Sequence, residues 1–251
     1  MNPALIGISA AAAVAGAIAA RGGVDPQSQI FGKTIRHTTS PLNLAITFDD
    51  GPNPAVTPKL LDLLDRYDAR ATFFMIGRYV RVCPELTKDV QARGHLLANH
   101  TETHPNLMWL SPSGVRDELQ KCQEALQNAV GATATFFRPP FGMRNPWVVS
   151  TARDCGMQTA MWTLIPGDWR GKPAEWLTER MKPISDHAQH AARRGAGGVL
   201  CLHDGGHRQL NADRSGMLAA VEYWLPRWRD IGLKFVTIAQ ASAEGGAQAG
   251  A

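Results

Sequence analysis

The sequence predicts a single α/β domain built on a parallel sheet. Three observations carry that expectation. Runs of β-branched and apolar residues alternate about seven times with segments of 3.6-residue apolar period. Strand runs such as Ala71–Ile76 are apolar without alternation, as strands buried on both faces are. Each polar cluster directly follows a predicted strand, and parallel sheets collect chemistry at the C-terminal ends of their strands. These observations leave two architectures open, a doubly wound open sheet and a closed barrel.

Composition agrees. The chain has 251 residues, 44% hydrophobic and 19% charged, with 24 glycines and 16 prolines, the proportions of an ordinary globular protein. A net charge of +4 and a pI near 9.0 are mild. The basic residues are scattered, with Arg193-Arg194 their one tight pair, so no nucleic-acid footprint is present and only weak attraction to anionic cell-surface polymers is implied. Cys83, Cys122, Cys155 and Cys201 are spaced too widely for a paired-cysteine zinc motif, which leaves buried free thiols as the expectation. Cys122 on a helical apolar stripe and Cys201 inside a strand fall at core positions.

In chain order, residues 1–22 read as a signal peptide or membrane anchor, from the Ala-rich apolar run 3–20, and suggest an extracytoplasmic protein, whether secreted, periplasmic or membrane-tethered. No basic residue precedes that run, whereas Arg21, Lys33 and Arg36 follow it, against the positive-inside tendency. Residues 23–41 read as a linker, 42–240 as the catalytic domain and 241–251 as a flexible tail.

The first strand, Leu44 to Phe48, runs into Asp49-Asp50-Gly51-Pro52. Thr57 is placed as an N-cap with Pro58 at the first helical position, and Leu60, Leu61, Leu64 and Tyr67 form the apolar face. Further strands are expected over 71–76, 95–98, 135–138, 158–164, 198–203 and 234–237. Between them, Pro84–Arg93 is closed by Gly94, and a long helix opens at Ser111-Pro112 and ends at Gly131. Helices are also expected over 146–154, 176–194 with a break or kink at Pro183, and 217–229.

Asp49 and Asp50 repel each other, so adjacent acids at a strand end suggest a cation or a tuned general base, the alternative being a turn in which both are solvated. His100 and His104 are four apart, and on one helical turn both imidazoles face one side. With Asp50 they supply two nitrogens and one oxygen for a divalent metal, with positions left for water and substrate. His95 is a weaker candidate, better explained as a strand residue satisfied by the backbone. Arg138, locked beside Pro139-Pro140, can hold its guanidinium against a carboxylate. Asp168-Trp169 follows the fifth strand, with Trp169 lining a sugar site or capping the core. His203 ends the sixth strand as a ligand, an acid or a satisfied rim residue.

Thr47-Phe48-Asp49-Asp50-Gly51, His100-Thr101-Glu102-Thr103-His104, Arg138-Pro139-Pro140-Phe141, Asp168-Trp169 and Leu202-His203-Asp204, in this order, resemble the five motifs of the polysaccharide deacetylases, the NodB-type domain of carbohydrate esterase family four. The resemblance covers about residues 42 to 238. It implies a distorted (β/α)7 barrel that binds one divalent metal, usually Zn2+ with Co2+ or Mn2+ as alternatives, and removes acetyl groups from acetylated carbohydrates. By position, Asp50, His100 and His104 would hold the metal, Asp49 would be the general base and His203 the general acid. Arg138 would orient Asp49, and Asp168 would orient and tune His203. Phe141, with its backbone N–H as an oxyanion contact, Trp169 and Cys201 would face the substrate. Two positions depart from the family pattern: Ile165 replaces a frequent further acid, and Cys201 replaces a leucine that touches the acetyl methyl.

The implied substrate is an N-acetylglucosamine polymer or oligomer such as chitin or peptidoglycan. An acetylxylan-type O-deacetylase would share every motif. A non-haem iron oxygenase would use the two-His-one-carboxylate set but needs neither the base-and-arginine pair nor a distal histidine. A non-catalytic sugar-binding module has no use for Asp49, Arg138 and His203 together.

Overall fold

A computed structural model describes residues 15–186 and 195–243. Residues 15–24 are helical (α1). A short strand β1 (His37–Thr38) precedes β2 (Asn43–Gly51), in which all nine residues are buried. The other strands are β3 (Ala71–Met75), β4 (Leu96–Asn99), β5 (Phe136–Phe137), β6 (Gln158–Thr159), β7 (Gly197–His203) and β8 (Lys234–Phe235). The sheet order is β1-β7-β2-β3-β4-β5-β6, parallel throughout except for β1 against β7. β8 pairs only the start of β2, through Asn43 and Leu44, before β3 joins at Ile46.

Strand alternation sorts the side chains into two cores. Ile46, Phe48, Phe73, Leu200 and Leu202 face outward and pack with apolar residues of the surrounding helices, among them Leu60, Leu126, Leu225 and Trp228. Ala45, Phe74, Ala98, Val199 and Cys201 face the barrel interior, where several small residues leave room for the buried Arg138 side chain. The sheet therefore needs apolar residues on both faces, which is why its runs lack a polar alternation.

The strand expected over 158–164 is divided, and the division produces the distorted (β/α)7 barrel. Gln158 and Thr159 pair with β5, whereas Leu164 bridges Leu200 of β7 and the Leu164 carbonyl accepts the Cys201 N–H at 2.9 Å. Between them Ile35 wedges in, bridging Ala160 and accepting the Met161 N–H at 2.6 Å. The linker expected over 23–41 is thus corrected: much of this segment packs on the domain. Gln27 Nε2 donates to the Trp162 carbonyl at 2.6 Å, and Arg144 Nη2 donates to the carbonyls of Asp25 at 2.6 Å and Ser28 at 3.0 Å. Its composition looked linker-like because its polar groups are satisfied by hydrogen bonds to the domain and not by an apolar face.

The remaining helices are α2 (Thr57–Arg66), α3 (Gly77–Val82), α4 (Pro84–Ala92), α5 (Pro112–Val130), α6 (Pro146–Asp154), α7 (Ala174–Met181), α8 (Ser215–Asp230) and α9 (Ile238–Ala243). Ser111 caps α5 by accepting the Gly114 N–H at 3.2 Å, and Gly131 closes it at φ 71°. Thr57 is not the N-cap expected of it; its hydroxyl accepts the Asn53 N–H at 2.9 Å and donates to Asp204, a partner distant in sequence. α7 stops at Met181, a turn at Lys182 breaks it, and residues 183–186 are again helical from Pro183 on, the break expected there; residues 187–194, including Arg193-Arg194, lie outside the described residues.

The expected tail begins inside α9, where the Ala241 carbonyl accepts the Thr39 hydroxyl at 3.0 Å; residues 244–251 lie outside the described residues. So does most of the apolar N-terminal run, and among the described residues no helix is long and apolar enough to cross a membrane. The four cysteines are free, Cys122 and Cys201 buried as expected and Cys83 and Cys155 only half-buried.

Candidate active site

The C-terminal end of β2 carries a bulge. Asp49 pairs with Phe74 and Gly51 with Met75, leaving Asp50 as the extra residue, at φ 71°. An unbroken pleat would send Asp50 to the outer face among the helices. The bulge turns it back, so both carboxylates line one pocket. A non-glycine residue in the left-handed region at a pocket is strain that the surrounding structure must hold.

His100 and His104 follow β4 on a folded loop and not on the helical turn expected from their spacing. Thr101 and His104 adopt φ 69° and 63°. Asn99 Oδ1 accepts the Thr101 N–H at 2.9 Å, Thr101 Oγ1 accepts the His104 N–H at 3.0 Å, and Glu118 of α5 accepts the Thr103 N–H at 2.8 Å. Side-chain hydrogen bonds that compete with helix formation fix this shape. It brings the two imidazoles to 4.9 Å between centroids.

His100 Nδ1 lies 2.8 Å from the Arg138 carbonyl, which can only accept, so Nδ1 carries the proton and Nε2 the lone pair. That Nε2 is 3.5 Å from Asp50 Oδ1, and His104 Nε2 is 3.2 Å from the same oxygen. Asp50 Oδ1 is buried with no hydrogen-bond partner. A buried carboxylate oxygen without a donor, flanked by imidazole nitrogens, fits a bound cation. Burial raises the Asp50 pKa, but the imidazoles of His100, His104 and His207 outweigh it and hold the group well below the usual carboxylate range. Burial lowers the His104 pKa despite Asp50 beside it. An ionised Asp50 beside a His104 imidazole biased toward its neutral form is the protonation state that metal binding requires.

Asp49 is held differently. Arg138 Nη1 donates to its Oδ1 at 2.7 Å, and the Cys201 thiol donates to Oδ2 at 3.4 Å. Arg138 is fully buried, and its other donors reach Thr47 Oγ1 at 2.7 Å and the carbonyls of Met161 at 3.0 Å and Ala160 at 3.3 Å. Its guanidinium lies 4.0 Å from the Phe74 ring centroid. With so many partners the guanidinium cannot swing, and its charge balances the Asp49 carboxylate. Burial, with Asp49 nearby, pushes the Cys201 thiol well up, so it remains a donor.

Across the pocket, Asp168 Oδ2 accepts the His203 N–H at 2.7 Å and Oδ1 pairs with His203 Nδ1 at 3.0 Å. This pins the ring and leaves Nε2 as the nitrogen not engaged by Asp168. Burial pulls His203 down, yet Asp168, with Asp50 and Asp49 beyond it, raises the pKa to about 9. Asp49, Cys201 and His203 each place one polar atom within 4.8 Å of the others. Trp169 packs edge-on against His203 at 4.9 Å and Phe141 against His104 at 4.6 Å, and both remain exposed at the rim. The pocket has a volume of about 690 Å³, enough for a sugar ring with its acetamide.

The structure thus gathers every sequence-predicted site residue around one pocket, with Arg138 and Asp168 supporting it from behind. His95 lies elsewhere, accepting the Ala71 N–H at 3.3 Å, the backbone-satisfied position expected of it. One residue, His207, escaped the sequence reading, and another, Asp204, was read only as part of a motif, without a role of its own. His207 stacks on His104 with 4.5 Å between centroids, and its only signal was a Gly-Gly-His run after His203. Asp204, fully buried beside Thr57, has its pKa raised to about 7 by burial, against the Thr57 hydrogen bond.

A family model described as polysaccharide deacetylase matches residues 36–160. A peptidoglycan-N-acetylglucosamine deacetylase of Bacillus cereus is 37% identical over 197 residues, covering 78% of this chain and 86% of that protein. A chitooligosaccharide deacetylase of Azorhizobium caulinodans is 31% identical, covering 78% and 93%. Among solved structures, a family-four carbohydrate esterase pseudoenzyme from Bacillus anthracis superposes with a TM-score of 0.71 at 25% identity, covering 83% of this chain and 68% of that one. The chain belongs to the polysaccharide deacetylase family.

Proposed function

We propose that this protein is a metal-dependent hydrolase that removes acetyl groups from N-acetylglucosamine units of a poly- or oligosaccharide, by attack of water on the acetyl carbonyl. A fold shared with a pseudoenzyme does not carry activity, so the reading rests on the site. The observation that carries it is the division of labour around one pocket. Asp50 faces two imidazoles, Asp49 is pinned by Arg138, and His203 is pinned by Asp168 on the other side. The named activities of the B. cereus and A. caulinodans relatives favour an N-acetylated glucosamine over an O-acetylated xylan.

Asp50, His100 and His104 would hold the metal, which would supply Lewis acidity toward the carbonyl and acidify water. Asp49 Oδ1 is engaged by the charged Arg138, whereas Oδ2 accepts only the weaker Cys201 thiol, so Oδ2 is the oxygen that takes the proton from water. His203, protonated at neutral pH with its pKa at about 9, donates its Nε2 proton to the departing nitrogen. The C–N bond breaks, a C–O bond forms, and acetate and a free amine leave. The backbone N–H of Phe141 supports the developing oxyanion. Trp169 and Phe141 offer exposed rings to the sugar faces, and Cys201 forms the pocket wall beside the base.

Acetate release from N-acetylglucosamine oligomers, peptidoglycan glycan strands and acetylated xylan tests this. Release from the first two, abolished by a chelator and restored by Zn2+, Co2+ or Mn2+, is the expected result. Release from acetylated xylan alone would transfer the reading to an O-deacetylase, and no release with any added metal would make the protein a sugar-binding module. An extracytoplasmic location suits such substrates and the apolar run 3–20, and cell fractionation checks it.

A further inference from the structure

His207 has no part in the scheme above, yet it touches the proposed metal site. Its Nδ1 lies 3.8 Å from Asp50 Oδ2, the oxygen opposite the one that faces His100 and His104. Its ring is nearly parallel to His104, 15° between planes, and stands edge-on to Phe141 at 5.4 Å. Asp50, His104 and His207 each offer one ligand atom, and these atoms lie within 4.8 Å of one another.

The loop that carries His207 is fastened on every side. Asn53 Nδ2 donates to the carbonyls of Asp204 and Ala212, both at 2.9 Å, Arg214 Nε to that of Gly205 at 2.8 Å, and Tyr79 Oη to that of Gly206 at 3.1 Å. Arg78 donates to the carbonyl of His207 itself. A side chain at position 205 would collide with the Asp50 backbone, so Gly205 is what lets this loop lie against the metal-facing bulge. A surface histidine would not need such support.

We propose that His207 is a fourth protein donor of the metal centre, joining Asp50, His100 and His104. The inference rests on the metal-dependent reading above. A fourth donor moves the site from the open set of catalytic centres toward the closed set of tightly held ions, so its consequence is stronger metal retention. With its side chain 33% exposed, against 2% for His100 and 4% for His104, His207 is also the ring with room to withdraw.

The test is Zn2+ affinity, measured by competition with a chromogenic chelator, for the unaltered protein, His207→Ala and His207→Phe. The phenylalanine variant preserves an aromatic ring against His104 and Phe141 but lacks a nitrogen. Both variants are expected to bind Zn2+ about 10- to 100-fold more weakly, with the thermal midpoint of the metal-free protein unchanged and the visible spectrum of the Co2+ form altered. Unaltered affinity in both variants, or a loss confined to one of them, would trace the residue to packing and overturn the proposal. If the unaltered protein binds no metal, the metal-dependent reading falls, and this proposal with it. If it binds tightly and the variants match it, only this proposal falls.

Discussion

His95, buried, and His203, half-buried, are imidazoles at opposite ends of the same sheet, and their protonation diverges. His95 immediately precedes β4, at the N-terminal edge, and His203 closes β7 at the C-terminal edge. Burial disfavours the charged form of both. Around His95 it prevails, aided by Arg70 and Arg93 against Asp65 and Asp89, and the pKa falls to about 4. Around His203 Asp168 overrides it, with Asp50 and Asp49 adding to the effect, and the pKa rises to about 9. The charges that the loops deliver to each edge, and not burial itself, decide which histidine can donate a proton at neutral pH. One edge uses its histidine to satisfy a backbone N–H; at the other, the proposed mechanism uses it to protonate a leaving group.

The largest expected effect comes from removing the carboxylates that make the C-terminal edge different. Asp49→Asn should keep its metal and fold while losing about two to four orders of magnitude in rate, the usual worth of a general base. Asp50→Asn should lose metal affinity, with excess Zn2+ restoring part of its activity. Elemental analysis together with acetate release decides between them. If the Asp49→Asn protein is the one purified without metal, the two roles are reversed.

A smaller effect is expected from Asp168→Asn, which removes the charge that most raises His203. The rate should fall about tenfold or more, and the alkaline limb of the pH profile should begin well below pH 9. The sign follows from the acid role: a lower pKa means that the proton is lost sooner as pH rises, while the acid limb stays in place. A profile that does not move would separate Asp168 from His203.

The smallest effects concern stability, and here the two edges should slope in opposite directions. His203, raised from 6.5 to about 9, stabilises the fold fully below pH 6.5, and that contribution is lost as pH climbs toward 9. His95, lowered from 6.5 to about 4, stabilises it above pH 6.5, and that contribution is lost as pH falls toward 4. Each window is worth on the order of 3 kcal/mol at most. Urea unfolding of the metal-free protein across this range checks it: His203→Gln should flatten only the alkaline slope and His95→Gln only the acid slope. His95→Gln should also leave acetate release within about twofold of normal, since it touches nothing in the pocket.

By itself the sequence determined the parallel α/β class, the places where most strands stop, and the polar residues standing at those stops. Strand runs, turn residues and helix caps are local, and Ser111, Gly131 and Pro183 act where the chain pattern places them. Tertiary structure alone decided how those residues meet. The bulge that turns Asp50 inward arises from pairing with β3, and the loop that replaces a helical turn between His100 and His104 is tied to α5. The division of 158–164 depends on Ile35, far away in sequence, and that same contact converts an apparent linker into part of the barrel. Thr57 serves Asp204 and His207 lies against Asp50 only because β2 and β7 are neighbours in the sheet. A period or a cap is written in residues a few positions apart, whereas these contacts join segments as many as 157 residues apart, as Asp50 and His207 are, whose proximity the sheet order decides.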